Sequence, residues 1–310
     1  MTTAQVPQRT LHDVGSPGVR SAQPLGRLRA VILLAGILRQ TPFHMGVGRS
    51  LMDLPVDAGV TILSHWLGHV EALAKVAELG DLPLRVRLDQ TSLQPVLQGH
   101  AGRVRVQIER DHVELRGTGG VLRDVATEYA DDDLLLVANG AQVLLDGLAG
   151  LAERLAETDA GVAILSLPDH TPAGVMLIRC AALREISEIG FVDMKEQALP
   201  AIARKHRVTV VRGAVDRHPV RTMHDYLVAV RSGYRRRNSG AACEDAFAEE
   251  WRSSFALAEP GAVVGQVSVL HDSVVLRGAT VGEGAVVVRS LVCPGAIVSP
   301  GQTIVDELVV

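Results

Sequence analysis

The last fifty or so residues constrain the fold most. Val263, Val269, Val275, Val281 and Val287 recur every six residues, and Gly282, Gly284, Gly295 and Gly301 punctuate the stretch. Small residues and valines dominate from Pro260 onward, with almost no helical pattern. A six-residue apolar period broken by glycine is the mark of a hexapeptide β-helix, in which each coil stacks on the next. Three six-residue sides give roughly 18 residues per coil, hence about three coils. A small valine-rich sandwich is the alternative reading.

The preceding residues have another texture. Residues 1–28 contain Pro7, Gly15, Pro17, Gly18, Pro24 and Gly26 without an apolar period, which predicts a mobile tail. Val31 to Ala35 and Leu134 to Ala138 are short continuous apolar runs, the pattern of strands buried on both faces. Leu84–Leu88 and Val104–Ile108 alternate, which predicts strands with one wet face. Apolar positions from Thr61 to Ala77 fall on one helical stripe. Strands alternating with helices over residues 29–235 predict an α/β domain around a largely parallel sheet. A polar break at Arg235–Gly240 and a linker helix over 236–259 would then join it to the coil at 260–310.

Composition excludes several classes. The net charge of −4 supplies no global positive field for nucleic acid or an acidic membrane. Nine aromatic residues in 310 are too few for a base-stacking platform. The run from Ala30 to Leu38 is far short of the roughly 20 residues that span a bilayer. Its late start and lack of a small-residue cleavage site argue against a secretory signal. Three widely spaced cysteines suggest neither a disulfide framework nor a zinc cluster, and point to a reducing cytoplasm.

Four segments carry a resemblance. Val31-Ile32-Leu33-Leu34-Ala35-Gly36 supplies a first strand with its glycine. Leu115 to Leu122 contains Gly117-Thr118-Gly119-Gly120. Leu134 to Gly140 ends in Asn139-Gly140, and Phe191 to Glu196 is followed by Leu199-Pro200. With the C-terminal repeat, residues 29–310 resemble the sugar-phosphate nucleotidylyltransferases, also called NDP-sugar pyrophosphorylases. The layout is similar to that of mannose-1-phosphate guanylyltransferase. The resemblance implies a Rossmann-like α/β nucleotide-diphospho-sugar transferase domain followed by a short left-handed parallel β-helix.

The implied reaction is attack of a sugar 1-phosphate on the α-phosphate of a nucleoside triphosphate, with pyrophosphate leaving. Such a site must supply positive charge and, in the family, Mg2+ on hard oxygen ligands. By resemblance, Ala35, Gly36, Gly117, Thr118, Gly119, Asn139 and Gly140 would bind nucleotide. Arg39 and Arg49 would meet phosphates. Gly174, Lys195 and Glu196 would meet the sugar phosphate, Lys195 being one of only three lysines. Asp193 offers a second reading of that segment, as a helix cap.

The sequence also departs from the family. No lysine precedes Lys75, so the phosphate lysine of the opening segment is absent. Ala141 follows Asn139-Gly140 where an aspartate is expected, and Pro219 stands in place of the second aspartate. No Mg2+ ligand is therefore found at either position. Asp131–Asp133 lies at the other end of its strand and reads as a solvated start of that strand. Three functions stay open: an active enzyme making an NDP-sugar for polysaccharide or envelope precursors, a silent relative that binds nucleotide or NDP-sugar as a regulatory or partner subunit, and a β-helix acyltransferase using His271. Expected partners are nucleotide and sugar phosphate, with self-association through the exposed end of the coil.

Overall fold

The computed structural model describes residues 25–36, 41–97, 104–111, 116–238 and 254–310. Most of the expected tail, Arg39, and the greater part of the expected linker helix lie outside the described residues.

The first domain is built in chain order from β1 (Leu28–Leu34), α1 (Pro42–Val47), the short ladder β2 (Pro55–Asp57) and β3 (Val60–Thr61), and α2 (Ile62–Val76). Next come β4 (Leu84–Leu88), β5 (Val106–Arg110), α3 (Gly117–Ala126), β6 (Leu134–Asn139), β7 (Gln142–Leu144) and α4 (Leu148–Ala156). Then follow β8 (Val162–Ser166), β9 (Pro172–Arg179), α5 (Cys180–Leu183), α6 (Leu199–Ile202), β10 (Val208–Arg212), β11 (Arg217–Pro219) and α7 (Met223–Asn238). Seven strands form one sheet in the order β10-β8-β9-β6-β1-β4-β5. All neighbours are parallel except β9, which runs antiparallel to both β6 and β8. From β1 the chain builds outward to β4 and β5, then crosses to β6 on the other side, so the strand order reverses between β1 and β6.

Alternation in the central strands divides the core. Val31, Leu33, Leu136 and Ala138 face α2, α4 and α7. Ala30, Ile32, Leu135 and Val137 face α3, α5 and α6. Helix α2 starts where the sequence predicts. Thr61 accepts a hydrogen bond from the Ser64 N–H, Ser64 reciprocates, and Ile62, Leu63, Trp66, Leu67, Val70 and Leu73 are buried.

Two expectations are corrected here. Strand β4 has no wet face: Arg85 and Arg87 are buried. Glu109 and Glu128 accept from Arg85 at 2.7 Å, and Asp111 accepts from Arg87 at 2.9 Å. Carboxylates in and just after the edge strand, and in the turn after α3, thus neutralise an arginine pair that the alternation assigns to water. Of the expected break, Arg235–Asn238 are helical because α7 runs through them, while Ser239 and Gly240 lie outside the described residues; Arg236 meets Asp146 and Asp216, and Arg237 meets Asp57. Before α6 the chain makes a π-helical turn at Met194–Ala198, and Pro200 falls in the first turn of α6, where its missing N–H costs nothing.

Residues 256–309 form short parallel strands on three faces. Residue i stands beside residue i + 17 on every face: Ala256 by Ser273, Val263 by Thr280, and Val269 by Val286. Next-coil pairs keep the same offset, as in Val274 with Leu291 and Val286 with Thr303. The arrangement is consistent with a parallel β-helix, but its coil is seventeen residues rather than eighteen. The inward residues Val275, Val281, Val287, Val292, Val298 and Ile304 show why: successive steps are six, six, five, six and six. The five-residue side slips the expected valine series out of phase, and Val263 and Val269 are exposed.

That short side turns through Asp272, Arg289 and Asp306, all at positive φ. Stacked contacts hold it. Arg289 makes a two-pronged pair with Asp306 at 2.6 Å on each arm, and Arg231 of α7 reaches Asp272 at 2.7 Å. Ser273 and Ser290 are fully buried, and each hydroxyl accepts a backbone N–H from the next coil. Phe255, Leu257, Val274, Leu276, Leu291 and Cys293 join the same apolar cluster as Phe43, Val47, Tyr226, Leu227 and Val230. The coil is therefore docked on α1 and α7.

One half-buried polar pair on α2 makes stability pH-dependent. The His65 and His69 Nε2 atoms lie 2.7 and 2.8 Å from the Leu144 carbonyl oxygen. A carbonyl only accepts, so both neutral rings donate from Nε2. Burial lowers the pKa of His65; it also lowers that of His69, with the neighbouring His65 adding to the effect, from 6.5 to about 4. Between those two values the unfolded chain binds more protons than the native chain, so stability is full above pH 6.5 and falls as the pH drops toward 4. Urea unfolding at several pH values is expected to show this slope. His69→Gln should flatten it; an unchanged slope would remove the assignment.

Candidate functional site

A cleft of about 310 Å3 opens beyond the carboxyl ends of β1, β4 and β6. It lies where the strand order reverses, which is where open α/β sheets place their ligands. Ala35, Gly36 and Ala141 form its base, Arg49, Ser50 and His44 one wall, and Thr91, Ser92 and Leu93 the opposite rim. The base is set by backbone pairing: the Ala35 N–H donates to Arg87 O at 2.9 Å, and the Gly140 N–H donates to Leu34 O at 3.0 Å. A Cβ on Gly36 would lie 2.1 Å from the Asp89 nitrogen, so only glycine lets these strand ends close.

The expected residues divide into two groups. Ala35, Gly36, Asn139, Gly140 and Arg49 gather around the β1 and β6 ends. Gly174 joins them from β9, where a Cβ on it would lie 3.4 Å from the Asn139 Cβ. Asn139 Oδ1 accepts the Ala141 N–H at 3.0 Å, closing the turn after β6. Gly117, Thr118 and Gly119 instead start α3 and meet the segment that carries Lys195 and Glu196. The N–H groups of Gly119 and Gly120 donate to Val192 O at 2.9 and 3.4 Å, and Thr118 Oγ1 accepts the Met194 N–H at 3.1 Å. The close approach these glycines permit is made by the chain's own backbone at Val192. The Lys195 and Glu196 side chains are exposed, while their N–H groups both donate to Asp193 Oδ1 at 2.8 Å. Asp193 thus caps the turn. His271 is half-exposed, with Nδ1 3.5 Å from Asp272.

Arg49 reaches across the domain junction. Its Nη2 donates to Glu259 Oε2 at 2.9 Å, and its buried Nε has no partner. Asp53 sits behind it and accepts the Val96 N–H at 2.9 Å; burial raises its pKa, with that hydrogen bond and Arg49 opposing.

Two cleft-side residues escape the sequence reading. His44 Nδ1 lies 3.3 Å from the Thr41 N–H and 2.6 Å from Thr41 Oγ1 in a capping box. Since the N–H can only donate, Nδ1 is the acceptor and the neutral ring carries its proton on Nε2. Burial lowers the pKa of His44, which favours that neutral form. Thr41-Pro42 was the available signal, an N-cap followed by proline in the first turn. Gln142 is fully buried, Trp66 Nε1 donates to its carbonyl at 3.2 Å, and its Oε1 has no partner. No sequence pattern marks Gln142.

The two positions expected to carry metal ligands adjoin. Strands β7 and β11 pair antiparallel with Pro219 opposite Gln142, and the Val220 N–H donates to Ala141 O at 2.9 Å. A methyl group and a pyrrolidine ring offer no oxygen donor. Among the described residues, no group of three or more histidines, cysteines, aspartates or glutamates is placed to hold a metal ion. The residues at this point do not fit Mg2+, which needs hard oxygen ligands. Asp131, Asp132 and Asp133, at the far end of β6, pair with Arg184, Arg27 and Arg29.

No protein-family model matches the chain, and no curated protein matches it. Among solved structures it is similar to a protein assigned as a glucose-1-phosphate thymidylyltransferase from Bacillus anthracis, in complex with a sucrose. The identity is 13%, the TM-score 0.48, and the match covers 66% of this chain and 95% of that one. It is also similar to HddC from Yersinia pseudotuberculosis complexed with GMP-PN, at 13% identity and TM-score 0.49, covering 66% of this chain and 99% of that one. At that identity the likeness fixes neither activity nor ligand for this chain. Among the described residues, no helix is long and apolar enough to cross a membrane.

Proposed function

We propose that this chain binds a nucleotide or nucleotide-diphosphate sugar in the cleft between β1 and β6 and does not turn it over by the metal-assisted route. The observation that carries this reading is the Ala141–Val220 contact beside Pro219. It supports placing both acid-bearing positions of the family side by side, and here they bear alanine and proline. Without a cation, two phosphate groups approaching each other repel, and the transition state loses its main stabilisation.

In this reading the backbone at Ala35, Gly36, Asn139 and Gly140 receives the nucleoside end. Arg49 meets phosphate. Gly174 borders the sugar end, whereas Gly117, Thr118 and Gly119 are taken up by the chain's own Val192–Met194 segment. The coil is read as a left-handed β-helix that presents the protein to a partner subunit or to another copy of itself.

Thermal unfolding with a panel of nucleoside di- and triphosphates and NDP-sugars tests binding, and pyrophosphate release with Mg2+ or Mn2+ tests turnover. A ligand at a hundred times its Kd adds about 2.7 kcal/mol. For a chain of this size that raises Tm by several degrees. Stabilisation without pyrophosphate is the expected result. Turnover with any sugar 1-phosphate would instead establish the enzyme reading, and absence of stabilisation by every ligand would remove the binding reading.

A further inference from the structure

The contact between Arg49 and Glu259 links the coil to the cleft. Among the described residues, Arg49 is the only lysine or arginine lining the cleft. Its partner is not a neighbour in sequence or in domain: Glu259 follows the first strand of the coil, 210 residues away. The pair is mostly sequestered, with side-chain exposures of 21% for Arg49 and 13% for Glu259. Glu259 Oε2 is itself fixed, since it accepts the Arg277 N–H at 2.7 Å from the next coil. A carboxylate so held presents to Arg49 the same charged oxygen that a phosphate would present.

We infer that Glu259 is an internal competitor for the anion-binding arginine of the cleft, so that the coil sets the affinity of the site for a diphosphate-bearing ligand. The inference rests on the proposed binding function. Ligand phosphate reaches Arg49 only by displacing or sharing the Glu259 carboxylate. Three neighbouring groups shape the exchange. Asp53 contributes a second carboxyl on the Arg49 side, which opposes anion entry when ionised. His44 offers its Nε2–H as a neutral donor from the same wall of the cleft. The unpartnered Arg49 Nε leaves the guanidinium with a donor that Glu259 does not satisfy. A site of this design binds weakly while the coil is seated, and gains affinity when anything draws the first coil away from α1.

The test is calorimetric titration of the full chain with inorganic pyrophosphate, and separately with nucleoside diphosphates, in the presence of EDTA. Glu259→Gln keeps the side-chain shape and a carbonyl oxygen for the Arg277 N–H while removing the charge. It is expected to tighten binding about tenfold, the equivalent of about 1.4 kcal/mol. Glu259→Asp, which shortens the reach to Arg49 and keeps the charge, should shift affinity the same way by less, and serves if the glutamine variant does not fold. In an Arg49→Gln background neither change should matter, which isolates the pair. Equal affinity in the unaltered chain and the Glu259 variants would overturn the competition while leaving the binding function intact. Absence of binding in every variant would overturn both.

Discussion

Trp66→Ala is expected to lower the unfolding free energy by about 3–5 kcal/mol, the range for truncating a buried tryptophan. Trp66 is fully buried on α2, within the core that joins the central sheet to α4 and α7. Its indole N–H donates to the Gln142 carbonyl, so the substitution leaves a cavity and also an unpaired acceptor at the start of β7. That strand carries the pairing that sets Ala141 beside Val220. A single residue therefore ties the core to the cleft base. Urea unfolding should show a lower midpoint at unchanged m-value, and the proposed nucleotide binding should weaken with it. A loss under 1 kcal/mol would mean that the ring is far less embedded than described.

Gly36→Ala is expected to cost about 3 kcal/mol, at the upper end for overpacking. The added methyl would meet Asp89 N at 2.1 Å and Leu88 Cα at 2.7 Å, both backbone atoms. Backbone cannot rotate away as a side-chain tip can, so the ends of β1 and β4 must separate. The cleft lies on that seam, and the proposed stabilisation by nucleotides should disappear in the same variant. Gly68→Ala makes the contrast. Gly68 lies inside α2 with open space where its Cβ would stand, and alanine there should raise stability by about 0.5–1 kcal/mol. Opposite signs for these two glycines, read from thermal and urea unfolding, separate steric demand from helix propensity.

What the sequence makes legible follows from where the signal is local. Apolar runs such as Val31–Leu34 and Leu134–Ala138 mark central strands because burial on both faces leaves no polar position. The valine period marks stacked coils, and the offset between expected and observed coil length comes from one missing residue per turn, which a run of five valines conceals. Arg85 and Arg87 mislead because alternation records polarity and not partners, and their carboxylates come from other elements. The cleft was half visible. Ala35, Gly36, Asn139 and Gly140 stand at the ends of recognisable strands. The ladder of β7 with β11 is three residues long and too short for a periodic signal, yet it brings Ala141 and Pro219 together. The Arg49–Glu259 pair joins residues 210 positions apart, and no local pattern encodes it. Gln142 matters through its unpartnered Oε1, which only the fold reveals.

The five-residue side of the coil has an evolutionary consequence. A duplication copying one seventeen-residue unit would lengthen the stack while every later side chain kept its inward or outward aspect. A copy one residue longer would turn valines to solvent and charges to the interior from that point on. The aspartate and arginine at that corner would also meet out of turn. Growth or loss in this tail is thus quantised, and related chains of different length should differ there by whole multiples of seventeen.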